Sequence, residues 1–212
     1  MNIIADGVYK QLAVFKHPWE FWVIDDFLEE ETFNTLLELK DVNGLYSPVD
    51  ASNGIIACSL NSENAIARKY TMKISNPNII YSVEQSLIKI QNGIEKEYTA
   101  SNLKGLFVAN ELVKCEPGYC YHRHIDHSSK IFSIIVSLSP TEGDGTTLLD
   151  QSNKQYKVFW RPNRATIFIN GKSLFHLYKN SLSVNRYTFN IFLTAEKSAF
   201  RTDKLAAKTN KG

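Results

Sequence analysis

The sequence is poor in cysteine, nearly balanced in charge and without a long apolar run, and each shortage narrows what the protein can be. Its three cysteines, Cys58, Cys115 and Cys120, are an odd number with no Cys-x-x-Cys spacing. That disfavours a regular thiolate zinc site and fits reduced thiols in an intracellular protein. A formal net charge of +2 gives no electrostatic sign of a nucleic-acid partner, although a local basic groove can hide in a balanced total. No apolar stretch approaches the ~20 residues that cross a bilayer. Met1 to Gln11 lacks the basic-then-apolar layout of a secretion signal, so a soluble, cytoplasmic protein without a membrane partner is expected. There is no internal repeat and no linker. A single domain over residues 1–196 is expected, followed by a basic, small-residue tail over 197–212 with the composition of a disordered segment.

What is present is apolar and aromatic. A 43% hydrophobic share with 12% aromatics is enough for a packed core. Phe21-Trp22-Val23-Ile24 reads as a buried strand. The run from Glu29 to Lys40 places Phe33, Leu36, Leu37 and Lys40 at helical spacing, with its acids in the first turn where the helix dipole favours them. Asp41 to Asn61 is rich in turn dipeptides. A second helix is expected from Asn76-Pro77-Asn78 through Ile90, ended or interrupted at Asn92-Gly93. The periodicity then switches to two. Gly105–Lys114, Ile131–Ser139, Thr146–Leu149, Tyr156–Trp160, Ala165–Ile169, Ser173–Tyr178 and Arg186–Thr194 read as short strands separated by turns. Helices first and strands after imply a mainly β protein, a jelly-roll core with helical support.

The densest set of metal-ligand types is Gly118-Tyr119-Cys120-Tyr121-His122-Arg123-His124-Ile125-Asp126. In an extended chain His124 and Asp126 share a face and can offer an imidazole nitrogen and a carboxylate oxygen to one ion. His176, a polar residue in the apolar run Ser173–Tyr178, is the candidate for a third ligand. Two histidines and a carboxylate form the facial set that leaves positions open on Fe(II). Ten positions later, Arg186, Thr188, Asn190 and Phe192 share one face of a strand. Three polar side chains there need partners or a ligand, and arginine suits a carboxylate gripped by two parallel hydrogen bonds. His122 shares strand parity with His124, so a cupin-like site of His122, His124 and His176 stays open, as does a binding sandwich in which the histidines are incidental. His127 is read as a loop residue near the substrate entrance.

The order His124-x-Asp126, His176, Arg186 resembles the 2-oxoglutarate and Fe(II)-dependent dioxygenases, and within them the prolyl hydroxylase branch. The resemblance covers roughly residues 20 to 195. It is carried also by Pro117-Gly118 with Tyr121-His122-Arg123-His124-Ile125-Asp126, by the turn Glu142-Gly143-Asp144-Gly145-Thr146-Thr147, by Arg161-Pro162 with Ala165-Thr166-Ile167-Phe168, and by Trp22-Val23-Ile24-Asp25-Asp26-Phe27-Leu28.

The resemblance implies a double-stranded β-helix in which His124, Asp126 and His176 bind Fe(II) and Arg186 binds the distal carboxylate of 2-oxoglutarate. O2 is then the oxidant and ascorbate an optional auxiliary. It implies hydroxylation of a C–H bond coupled to decarboxylation of 2-oxoglutarate to succinate, with a prolyl residue of a protein or peptide as leading substrate and a free amino acid or other small molecule as the variant. Asp126 favours hydroxylation over halogenation, because halogenating relatives carry a small residue there. Nucleobase demethylation is disfavoured by the lack of a second arginine soon after Arg186. Many relatives place a tyrosine just before the Pro-Gly, where Glu116 stands here. Tyr119 or Tyr121 is the expected substitute, with Thr188 and Asn190 completing the co-substrate pocket. Segments 47–61 and 152–156 are the expected substrate loops.

Overall fold

The computed structural model describes residues 2–42, 44–48, 69–97, 107–171 and 174–194. In chain order it forms β1 (Asn2–Ile4), β2 (Ala13–Phe15), β3 (Phe21–Ile24), α1 (Glu30–Leu39), β4 (Ser47–Pro48), β5 (Lys69–Met72), α2 (Pro77–Glu97), β6 (Phe107–Cys115), β7 (Cys120–His124) and β8 (Lys130–Ser139). It continues with β9 (Thr147–Leu149), β10 (Gln155–Val158), β11 (Ala165–Ile169), β12 (His176–Lys179) and β13 (Arg186–Thr194). The strands make an eight-stranded sheet in the order β2-β3-β11-β8-β13-β6-β5-β4 and a five-stranded sheet in the order β1-β10-β9-β12-β7. Pairing is antiparallel except between β1 and β10. This is the double-stranded β-helix core that the sequence led us to expect. Among the described residues no helix is long and apolar enough to cross a membrane.

Strand β13 shows how the architecture follows from alternation. All nine of its residues are buried, but on two different sides. Tyr187, Phe189, Ile191 and Leu193 join Leu36 of α1 and Ile79, Val83, Ile90 and Ile94 of α2 in the main core. Arg186, Thr188, Asn190 and Phe192 face the space between the sheets, where they line a pocket. A period of two thus separates an apolar face, whose burial drives folding, from a polar face reserved for chemistry.

Three expectations change. The chain does not run helices first and strands after: β1, β2 and β5 surround the helices, and at three or four residues each they are too short for alternation to show. Helix α2 does not stop at Asn92-Gly93 but continues to Glu97. Gly93 serves packing instead, since a Cβ there would lie 2.6 Å from Leu12 Cδ2, and the next residue, Ile94, returns to the core. Strand β12 begins only at His176 and β10 ends before Trp160. Residues 49–68 and the tail 197–212 lie outside the described residues. At 152–156 the chain makes a hairpin tip tied to Asp150, whose carboxylate accepts from Ser152 N at 2.9 Å and Lys154 N at 2.9 Å.

Candidate metal centre and co-substrate pocket

His124 ends β7 and His176 opens β12, and the two are direct partners across the strand pair. Asp126 follows in the turn into β8. One ligand atom of each lies within 4.8 Å of the others. Asp126 Oδ1 is 3.9 Å from His124 Nε2, and Asp126 Oδ2 is 3.9 Å from His176 Nε2. His124 Nδ1 sits 2.8 Å from the carbonyl of His122. A carbonyl only accepts, so Nδ1 carries the proton and Nε2 keeps its lone pair towards Asp126. Phe168 packs on the His176 ring at 4.7 Å.

Electrostatics favour the ligating forms. Burial lowers the pKa of His124, and the neighbouring His176 lowers it further. Burial likewise lowers that of His176, against the pull of Asp126. Burial alone would raise Asp126, but Lys130, His176 and a hydrogen bond from Ser133 outweigh it and hold the carboxyl below its usual range. Two neutral imidazoles and one carboxylate are the state in which a divalent ion binds. The donor set therefore fits Fe(II).

His122 is exposed and stands outside this group. The reason is a register shift. Tyr121 pairs with Tyr178 and His124 with His176, so three steps on β7 match two on β12. The extra residue breaks the alternation: Tyr121 and His124 both face the pocket, their rings 4.0 Å apart, while His122 is displaced. The cupin-like set of His122, His124 and His176 is not assembled. His127 is an exposed turn residue bonded to Ser129.

Arg186 lies in the same pocket, 2% exposed. Its Nε donates to the carbonyl of Asp144 at 2.9 Å, and its guanidinium lies between the rings of Trp160 at 5.0 Å and Tyr178 at 4.7 Å. Among the described residues no carboxylate lies within 4.0 Å of it, which leaves both terminal nitrogens to a ligand. Tyr121, Thr188 and Asn190 also line the pocket. Tyr119 does not: it packs with Val113 and Cys115, behind Tyr178 at 5.8 Å. Glu116, which stands where the family resemblance led us to look for a tyrosine, turns to β5 and accepts from Tyr70 Oη at 3.0 Å.

Several pocket residues were not anticipated. Tyr178 was within reach of the sequence, two positions from His176 on the same strand. Lys69 and Glu111, an ion pair at 3.7 Å, come from distant segments with no shared motif. Burial would lower the Lys69 pKa, but Glu111 reverses the sign and raises it, so the lysine stays charged. Lys130 and Ser133 bind Asp126 from a strand that reads simply as apolar.

With this geometry established, the fold resembles several solved structures. A Pseudomonas putida prolyl-4-hydroxylase aligns at TM-score 0.59 and 15% identity over 83% of this chain and 92% of that chain. A Trichoplax adhaerens prolyl hydroxylase, in complex with a hypoxia inducible factor oxygen degradation domain peptide fragment, aligns at 0.57 and 15%, covering 90% and 87%. The viral collagen prolyl hydroxylase of Paramecium Bursaria Chlorella virus-1, as its 2OG complex, aligns at 0.54 and 15%, covering 91% and 99%. No protein-family model matches the chain, and no curated protein matches it. The fold is that of the prolyl hydroxylase-like 2-oxoglutarate oxygenases.

Proposed function

We propose that the protein is a 2-oxoglutarate- and Fe(II)-dependent hydroxylase, a single domain over residues 1–196 in which His124, Asp126 and His176 hold the metal and Arg186 holds the co-substrate. The observation that carries this is the placement of a buried arginine, without a carboxylate partner among the described residues, in the pocket that also contains the three converging donors. Such a cation calls for an anion, and a planar fork matches a carboxylate. Bound Fe(II) and 2-oxoglutarate supply the oxidising chemistry: O2 is consumed, the oxoacid becomes succinate and carbon dioxide, and one oxygen atom enters a substrate C–H bond. The chain's own part is positional. Asp144 and the two aromatic rings aim the Arg186 guanidinium, Thr188 offers a hydroxyl beside it, and the His122 carbonyl sets the His124 tautomer. The two sheets place these groups around one pocket.

A prolyl residue of a protein or peptide is the leading substrate, supported by the fold likeness and by the peptide held by the Trichoplax protein. A free amino acid is the second reading, favoured by Lys69 and Glu111, whose opposite charges on the pocket wall suit a zwitterion.

The test is anaerobic titration with Fe(II) and then 2-oxoglutarate, following the visible charge-transfer band of the chelated oxoacid. The band is expected to need both additions, to weaken in Arg186→Ala and to persist in His122→Ala. Iron binding without a band would refute the co-substrate assignment. Incubation in air with peptides or amino acids, read by mass spectrometry as the gain of one oxygen atom, then separates the two substrate classes.

A further inference from the structure

Both oxygens of Asp126 are engaged by the chain itself. Ser133 Oγ donates to Oδ2, and the Lys130 ammonium lies 3.2 Å from Oδ1. Ser133 is fully buried. Lys130 is pinned from several directions: its backbone N–H donates to the His127 carbonyl at 2.9 Å, its own carbonyl accepts from Asn170 Nδ2 at 2.7 Å, and its ammonium sits 3.6 Å from the centre of the Phe192 ring. Lys130 also lines the pocket that holds Arg186. A hydroxyl and an ammonium on one carboxylate are not equivalent, because only the second brings charge.

We propose that Ser133 and Lys130 act on the metal centre with opposite signs. Ser133 orients the Asp126 carboxylate and strengthens metal binding, whereas Lys130 opposes the metal and favours the anionic co-substrate, coupling the two ligands. A neutral donor fixes a ligating carboxylate in place without competing for its charge, and loss of such a partner weakens metal affinity. An ammonium on that carboxylate is a like charge close to a divalent ion in a partly dehydrated pocket, and it repels the ion. When a dicarboxylate enters the same pocket, the ammonium becomes a counter-charge for it. Lys130 is thus a positioning and charge-balancing residue, and this rests on the metal-centre assignment above.

The test uses Mn(II) as a redox-stable probe in anaerobic calorimetry, followed by 2-oxoglutarate titrated into the Mn(II)-loaded protein. Lys130→Met keeps an unbranched apolar side chain of similar length beside Phe192 and removes the charge. It is expected to bind Mn(II) about tenfold more tightly and 2-oxoglutarate about tenfold less tightly, Ser133→Ala to bind Mn(II) about tenfold less tightly, and Lys130→Arg to stay near wild type. Weakening of both ligands in a folded Lys130→Met protein would mean that the side chain merely supports the site, and would overturn the charge role. Unchanged affinities in Lys130→Met, or in Ser133→Ala, would overturn the corresponding half. A wild-type protein that binds no Mn(II) would instead refute the metal-centre assignment, and this inference with it.

Discussion

Two buried arginines show why residue identity alone does not announce function. Arg164, 1% exposed, is saturated. Its Nε and Nη2 donate to Asp25 at 2.6 and 3.0 Å, Nη2 also donates to the carbonyl of Gly7, and Nη1 donates to those of Ala5 and Phe159. Arg186 is as deeply buried but has one carbonyl partner. Burying a charge is costly unless it is paired, and that contrast is why the proposed ligand is assigned to Arg186 and not to Arg164. The paired histidines obey the same logic, with a consequence for pH. Their folded pKa values are depressed by burial, so between their folded values and the ordinary histidine value near 6.5 the unfolded chain binds more protons than the folded one. Stability is therefore full above about pH 7 and declines as pH falls below about 6.5. Asp25, Asp126 and Asp144 are all lowered, so their losses set in only as pH falls into the ordinary carboxylate range, near about 4. Urea unfolding of the metal-free protein should show a falling midpoint from about pH 7 to about pH 5. The same decline should flatten in His124→Asn/His176→Asn. An equally steep decline in that variant would place the titrating groups elsewhere.

At the scale of elements, the turn before β9 does two jobs at once. The carboxylate of Asp144 accepts from Ser181 N at 2.7 Å and from Lys157, tying the turn to the β12–β13 connection and to β10. Its carbonyl holds Arg186. The turn can lie this close to β10 only because Gly145 has no side chain: a Cβ there would fall 1.8 Å from the carbonyl oxygen of Val158, a backbone atom that cannot swing aside. Gly145→Ala should destabilise the fold by about 1–3 kcal/mol through overpacking. It should also lower 2-oxoglutarate affinity more than metal affinity, because Arg186 moves and the triad does not. Chemical denaturation and calorimetry read the two effects separately, and equal losses for metal and co-substrate would contradict the assignment of the turn to Arg186. The motif Glu142–Thr147 was visible in the sequence as a turn, but its hold on Arg186 was not, since a main-chain carbonyl leaves no residue-type signature. Helix α1 and strand β13 were readable because each repeats its pattern over nine or ten residues. The bulge in β7 was not, because one extra residue alters pairing without altering composition. That single step is what separates His122 from His124.

At the scale of the whole molecule, the candidate site is a seam. His124 and His176 belong to the five-stranded sheet, Arg186 to the eight-stranded sheet and Asp126 to the connection between β7 and β8. The fold class was readable because many short alternating segments admit few architectures. That His124, Asp126, His176 and Arg186 meet across the seam was legible only through the family resemblance of their order, whereas Lys69 and Glu111 depended on sheet order, which no local pattern encodes. A metal and a dicarboxylate bound here hold the two sheets to each other, and a ligand that binds only the folded chain stabilises it by mass action, by about 2.7 kcal/mol at a hundredfold excess over its Kd. For a domain of this size that is about 5–10 °C in Tm. Thermal unfolding should therefore rise in two steps in the wild type, one with Mn(II) and a second with 2-oxoglutarate. Asp126→Ala should lose both steps, and His122→Ala should keep both. Arg186→Ala should keep the first and lose the second, because its metal ligands are intact while the eight-stranded sheet no longer grips the co-substrate. If the second step survived in Arg186→Ala, the dicarboxylate would be held from one sheet only, and the larger sheet's polar face would have to serve the substrate instead.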